Sequence, residues 1–285
     1  MKRLLLATIA AISSLSAQLP AYQLYEIGGK SIDFDQLVAA AARADVVLFG
    51  ELHNNAIAHW LELELAKALE EELGQRLVMG GEMFETDGQL LMDEYLSGLV
   101  AESYFEKEAK LWNNYATDYK PLVVLAKDKG LPFVCTNIPR RYAGMVAKNG
   151  LESLDHLEKA AKGLICPLPL VVDPDLPGYK ALHAMGMGGH GSGENLMNAQ
   201  AIKDATMAHH ILANRDKDQV FLHVNGAYHS NNHEGIVWYL LQKNPKLRII
   251  TISTIESSNP QVLDEGHHSL ADFIVNIDED VTKTY

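Results

Sequence analysis

Five short apolar runs punctuate the chain: DVVLFG (45–50), RLVMGGEMF (76–84), LPFVCTNIP (131–139), QVFLHVNGAYH (219–229) and LRIITIST (247–254). Each is continuous and not alternating, as a strand buried on both faces requires. Between the first two lies NNAIAHWLELELAKALEEELG, in which Ile57, Leu61, Leu65 and Leu69 recur every four residues. That spacing predicts a helix with one apolar stripe, and Gly74 ends it. Strands separated by helices predict an α/β fold with a mainly parallel sheet flanked by helices. Upstream, YQLYEIGGKSIDFDQLVAAAARA reads as a short hairpin or extended entry followed by a helix.

The rhythm changes between residues 142 and 215. A proline-broken run, CPLPLVVDPDLPGY, is followed by HAMGMGGHGSGENLM and then by the helical stretch AQAIKDATMAHHILANR. We read 142–215 as a smaller helical insertion domain over the ligand-binding edge of the sheet, with 18–141 and 216–285 forming the α/β domain. The glycines from Gly186 to Gly191 predict a mobile loop.

Composition is that of a globular chain: 285 residues, 47% hydrophobic and 21% charged, enough for one sizeable core. The first residues stand apart. MKRLLLATIAAISSLSAQ has two basic residues, an apolar centre and small residues ending at Ala17, the pattern of a secretory signal over 1–17. Its removal takes away Lys2 and Arg3 and no acid, so the formal charge goes from −13 to −15. An acidic surface of that size argues against nucleic acid as a partner. No lipid-acceptor cysteine follows the signal, so the expectation is a periplasmic protein without a lipid anchor. The two cysteines, Cys135 and Cys166, support neither a disulfide scaffold nor a cysteine-based metal site.

In an open parallel sheet, ligands bind beyond the carboxyl ends of the strands. Polar residues collect at those ends: Glu51 and His53 after the first run, Glu82 and Glu85 after the second, Asn137 and Arg140 after the third. Asn225, Tyr228 and His229 follow the fourth. If these strands are adjacent, His53, Glu82 and His229 can meet as ligands for Zn, Mn or Fe, with Glu51 as a further ligand or general base. Each also has a purely structural reading, with Asn54 or Asn55 as a helix cap and His53 as a satisfied turn residue. His59, beside Trp60, reads as a surface or edge histidine. His209 and His210, adjacent on a helix, point about 100° apart and cannot share an ion. Met187 and His190 on the glycine-rich loop are of types that ligate haem iron. No serine-hydrolase elbow, phosphate-binding loop, dinucleotide fingerprint or HExxH is present.

Five stretches taken in order resemble the ChaN family of haem-binding proteins, in the wider grouping with the Tiki metalloproteases and, more distantly, erythromycin esterases. They are VVLFGELHNN, GGEMFETDGQLLMDEYLSG, NNYATDYKPLVVLAKDKGLPFVCTNIPRRYAG, AQAIKDATMAHHI and VNGAYHSNNHEGI. The resemblance implies an α/β domain with a smaller helical one, haem as cofactor, and a role in iron or haem uptake at the cell envelope. It also implies a homodimer holding haem through a tyrosine, and an outer-membrane or periplasmic uptake component as partner. Tyr142, Tyr179 and Tyr228 are the candidate tyrosines, and Arg140 and Arg141 the candidate partners of the haem propionates. The Tiki side implies a different chemistry, a metal-dependent hydrolase built on His53, Glu82 and His229.

Overall fold

The computed structural model describes residues 19–186 and 193–285. The proposed signal, Met187 and His190 therefore lie outside the described residues.

The entry is a hairpin, β1 (Tyr22–Glu26) and β2 (Lys30–Ile32), followed by α1 (Phe34–Ala41), β3 (Val46–Glu51) and α2 (Ala56–Leu73). β4 (Leu77–Glu85) leads to α3 (Gln89–Leu96), α4 (Glu102–Glu108), a π-helical turn (Tyr115–Tyr119), α5 (Lys120–Lys129) and β5 (Phe133–Asn137). Next come α6 (Arg140–Asn149), the one-turn α7 (Lys159–Lys162), α8 (Pro177–Gly186) and α9 (Gly193–Ala213). β6 (Val220–Gly226), α10 (Ile236–Lys243), β7 (Ile249–Ser257) and β8 (Phe273–Asp278) complete the chain.

The eight strands of the described residues form one sheet in the order β2-β1-β8-β7-β3-β6-β4-β5. The pairs from β8 to β5 are parallel, and β1 runs antiparallel to both its neighbours. The five apolar runs are thus β3 to β7, all parallel. β8, which paired β7 and β1, was not legible as a sixth run because FIVNID mixes apolar and polar positions.

Side-chain alternation divides the core between the two faces. Val47 and Phe49 of β3, Met79 of β4 and Leu222 and Val224 of β6 pack under α1 to α5. Val46 and Leu48, Val78 and Phe221 pack under α6, α8, α9 and α10. α9, from within 142–215, lies in this second core and is buried over most of its circumference. Cys135 and Cys166 are both buried, free thiols. No described helix is long and apolar enough to cross a membrane.

The topology selects one crevice. β3 and β6 are neighbours, yet the connection from β3 leaves through α2 on one face and that from β6 through α10 on the other. Loops parting at adjacent strand ends leave a gap there, where α/β sheets hold ligands.

Candidate ligand site at the strand ends

Strand parity decides which way each acid points. Glu51 continues the Val47, Phe49 side of β3 and is buried under α2. Glu82 continues the Val78 side of β4 and is buried toward α9. Two polar clusters result, one under each layer of helices, meeting at the β3–β6 crevice.

On the α2 side, Glu51 Oε1 accepts hydrogen bonds from His53 Nδ1 at 2.6 Å and from the Tyr119 hydroxyl at 2.8 Å. His59 Nδ1 stands 3.0 Å from Glu51 Oε2 and 3.3 Å from Glu62 Oε2. Its Nε2 lies 3.0 Å from the His53 carbonyl and 3.3 Å from Asp118 Oδ2. The π-helical turn brings Asp118 and Tyr119 inward together. Burial alone would raise the Glu51 carboxyl, but the bonds from His53 and His59 outweigh it and hold the group down at about 2. Burial disfavours the His59 cation, yet Glu51 and Glu62 overcome this and lift it to about 11. Glu62, fully buried beside the Glu51 charge, is pushed well above the usual carboxylate range.

On the α9 side, Glu82 Oε1 accepts from His229 Nε2 at 3.1 Å, and Oε2 accepts from Gly226 N at 2.8 Å. The other ring nitrogen of His229 makes a short hydrogen bond to Asp204, whose second oxygen accepts from the Tyr179 hydroxyl at 2.7 Å. Burial opposes a charge on His229, but Glu82 and Asp204 raise it to about 10. Burial likewise opposes the Glu82 charge, and the neighbouring His229 cation reverses that and lowers the group.

The clusters join at Gly226, which pairs with Glu51 in the β3–β6 register. A β-carbon at 226 would fall 2.8 Å from His53 Nε2 and 3.5 Å from Glu82 Oε2. His53, Glu82 and His229 are therefore brought together, as their places at the ends of β3, β4 and β6 require.

An open groove leads away from this point. Two cavities of about 380 and 620 Å³ share Glu85, Trp112 and Arg140. Their wall comes from two helix faces: Ala143, Gly144 and Ala147 of α6, and Leu196 and Ala199 of α9. Arg140 and Lys203 line it, and neither side chain forms a hydrogen bond or ion pair among the described residues. The other cations nearby are committed: Arg141 to Asp87 at 2.5 Å, Lys110 to Glu85 and Asp87 at 2.9 Å each. A separate apolar cavity of about 380 Å³, lined by Cys166, Leu170, His209 and Trp238, lies on the far side of α9 and α10.

Several expected residues fall elsewhere. Tyr142 packs among the apolar residues of α6 with Arg141 stacked 4.4 Å over its ring, and does not line the groove. Tyr179 is buried on Asp204, and the Tyr228 hydroxyl donates to the Gly178 carbonyl at 2.5 Å. Tyr285 is the tyrosine that lines the groove among the described residues. His59 is not a surface residue: it is buried between Glu51, Glu62 and Asp118, because the turn after β3 rotates α2 so that this position faces inward. A histidine three positions before a glutamate on the apolar side of a helix was the signal. Lys203, also missed, was marked only by its helical spacing from Leu196 and Ala199. Of the two asparagines, Asn55 caps α2, its Oδ1 accepting from Ile57 N and Ala58 N.

A mainly parallel sheet with an acid–imidazole centre at its carboxyl edge and an open groove beside it defines an α/β protein with a candidate ligand site. The chain belongs to the haem-binding uptake family of the Tiki superfamily, ChaN, whose model matches residues 37–240. In structure it is similar to a Campylobacter jejuni protein described as "Cofacial heme binding to ChaN", at 16% identity and a TM-score of 0.67, covering 89% of this chain and 96% of that one. A Bacillus cereus protein is similar at 12% identity and a TM-score of 0.51, over 85% of this chain and 90% of that one. No curated protein matches the sequence.

Proposed function

We propose that the groove beside the strand ends binds haem, and that the chain is an exported, periplasmic protein of iron or haem uptake acting as a homodimer. One observation carries the reading: Arg140 and Lys203, which make no hydrogen bond or ion pair among the described residues, flank a largely apolar wall. A macrocycle needs an apolar face and a counter-charge for each of two propionates. The groove volume falls in the range of small-molecule sites, about 300–1,000 Å³. Tyr285 supplies an oxygen ligand of a type that haem iron accepts. The wild-type chain titrated with haemin should develop a saturable Soret band. Arg140→Glu with Lys203→Glu should weaken binding by about tenfold or more, ~1.4 kcal/mol. Equal affinity in the double variant would remove the groove from the reading.

The convergence of His53, Glu82 and His229 on Gly226 favours a second reading, metal-dependent hydrolysis with Zn, Mn or Fe. These three would hold the ion, which would supply an activated water. Glu51 faces α2, so in this reading it orients His53 and does not meet substrate. Hydrolytic activity abolished by Glu82→Gln, in protein that shows no specific haem binding, would favour it over the first.

A further inference from the structure

Two carboxylate oxygens under α2 are buried without a well-aligned hydrogen bond: Glu51 Oε2, which has only the close approach of His59 Nδ1 at 3.0 Å, and Glu62 Oε1. Orphaned acceptors of this kind are costly and call for a cause. The surrounding valences are already taken. Glu51 Oε1 is held by His53 and Tyr119. His59 Nε2 faces the His53 carbonyl at 3.0 Å, and a carbonyl only accepts, so that nitrogen carries a proton. Asp118 Oδ2, 3.3 Å from the same nitrogen, is itself fixed by Asn114 at 2.7 Å and Thr284 at 2.9 Å. His59 Nδ1 is thereby aimed at the two glutamates.

We propose that Glu51, His59 and Glu62 form a buried site for a first-row divalent metal ion, Zn²⁺ by preference, bound through one imidazole nitrogen and two carboxylate oxygens. The three ligand atoms lie within 4.8 Å of one another. The separations of 3.0 and 3.3 Å from His59 Nδ1 suit neighbouring ligands around an ion held at roughly 2.0–2.2 Å. The outer contacts also suit it: a metal-bound histidine gives its other N–H to a carbonyl or carboxylate, and His59 meets one of each. The two carboxylates offset the charge of a divalent ion, and binding through His59 Nδ1 displaces any proton on that nitrogen.

This site is separate from His53, Glu82 and His229, but Glu51 links the two. With Oε2 on the ion, Oε1 stays fixed and sets the ring of His53 through Nδ1. The ion's role is to position the strand-end site, and it goes beyond the haem reading, on which it does not depend.

The test uses the haem-free full chain refolded with Zn²⁺, dialysed against chelator and measured for metal by mass spectrometry. About one retained ion per chain is expected for a buried site with three protein ligands. Glu62→Gln should lose it and Glu82→Gln should keep it. Absence of a retained ion in the wild type overturns the proposal, as does loss in Glu82→Gln with retention in Glu62→Gln. Should Glu62→Gln fail to fold, zinc-edge X-ray absorption of the wild type decides. A single imidazole with oxygen ligands supports the site, and two imidazoles move the ion to His53 and His229.

Discussion

Gly226 sits so close to the imidazole of His53 that a β-carbon at that position would fall 2.8 Å from both Cε1 and Nε2 of the ring. Only a hydrogen at this point of β6 lets His53 lean over the strand end toward Glu82. Gly226→Ala should displace the ring and weaken ligand binding at the strand ends by about tenfold, ~1.4 kcal/mol, with the fold retained. Titration alongside circular dichroism checks this; unchanged affinity would show that His53 takes no part in binding.

Gly50 is constrained by backbone. Its β-carbon would lie 2.8 Å from the Ile252 carbonyl oxygen and 2.9 Å from the Ala227 Cα, neither the end of a flexible side chain. Gly50→Ala should therefore destabilise the chain by about 1–3 kcal/mol, the usual cost of overpacking. The midpoint of urea unfolding reads it directly, and a shift below 0.5 kcal/mol on the scale of neutral surface changes would contradict the tight crossing of β3 and β7.

Asn55 does two jobs while fully buried. Its oxygen caps α2 and its amide donates to Glu256 at 2.6 Å, tying the helix start to β7. Asn55→Ala should cost at least the ~1–2 kcal/mol of a lost cap. Asn55→Asp keeps the capping oxygen but puts a carboxylate against Glu256, so it should also destabilise. An Asp variant as stable as wild type would mean that the Glu256 contact contributes nothing.

Stability should depend on pH in two directions in the metal-free chain. His59 and His229 are raised to about 11 and about 10 by their buried acid partners, burial itself working against them. Their contribution is complete below the unfolded histidine value of 6.5 and is lost as pH climbs toward those raised values. Glu62, raised, adds to the same alkaline loss. Glu51, held at about 2, contributes above the unfolded value of 4.5 and loses this as pH falls. The thermal midpoint should therefore drop from about pH 6 to about pH 9, and again from about pH 5 to about pH 3. A flat profile between pH 6 and 9 would mean that both histidines are neutral in the fold.

Much of the architecture was legible because it rests on local pattern. Continuous apolar runs located β3 to β7, the four-residue repeat located α2, and Gly74 marked its end. β8 was not legible because its apolar run is broken by a polar residue, Asn276, which is buried like its neighbours and donates to the Pro260 and Val262 carbonyls.

The candidate site divides in the same way. The sequence by itself determined that Glu51, His53, Glu82 and His229 stand at the ends of apolar strands, because side-chain type and strand termination are properties of adjacent residues. It could not determine that β6 inserts between β3 and β4, and this insertion alone brings Glu82 to His229 and both to His53. Nor could it show that His59 turns inward to meet Glu51 and Glu62, or that Arg140 and Lys203 face one wall from two helices. Those relationships depend on strand order and on the rotation of whole helices against the sheet. Both are settled by how the two apolar cores close, which joins Glu82 to His229 across 147 residues of chain and Asn55 to Glu256 across 201.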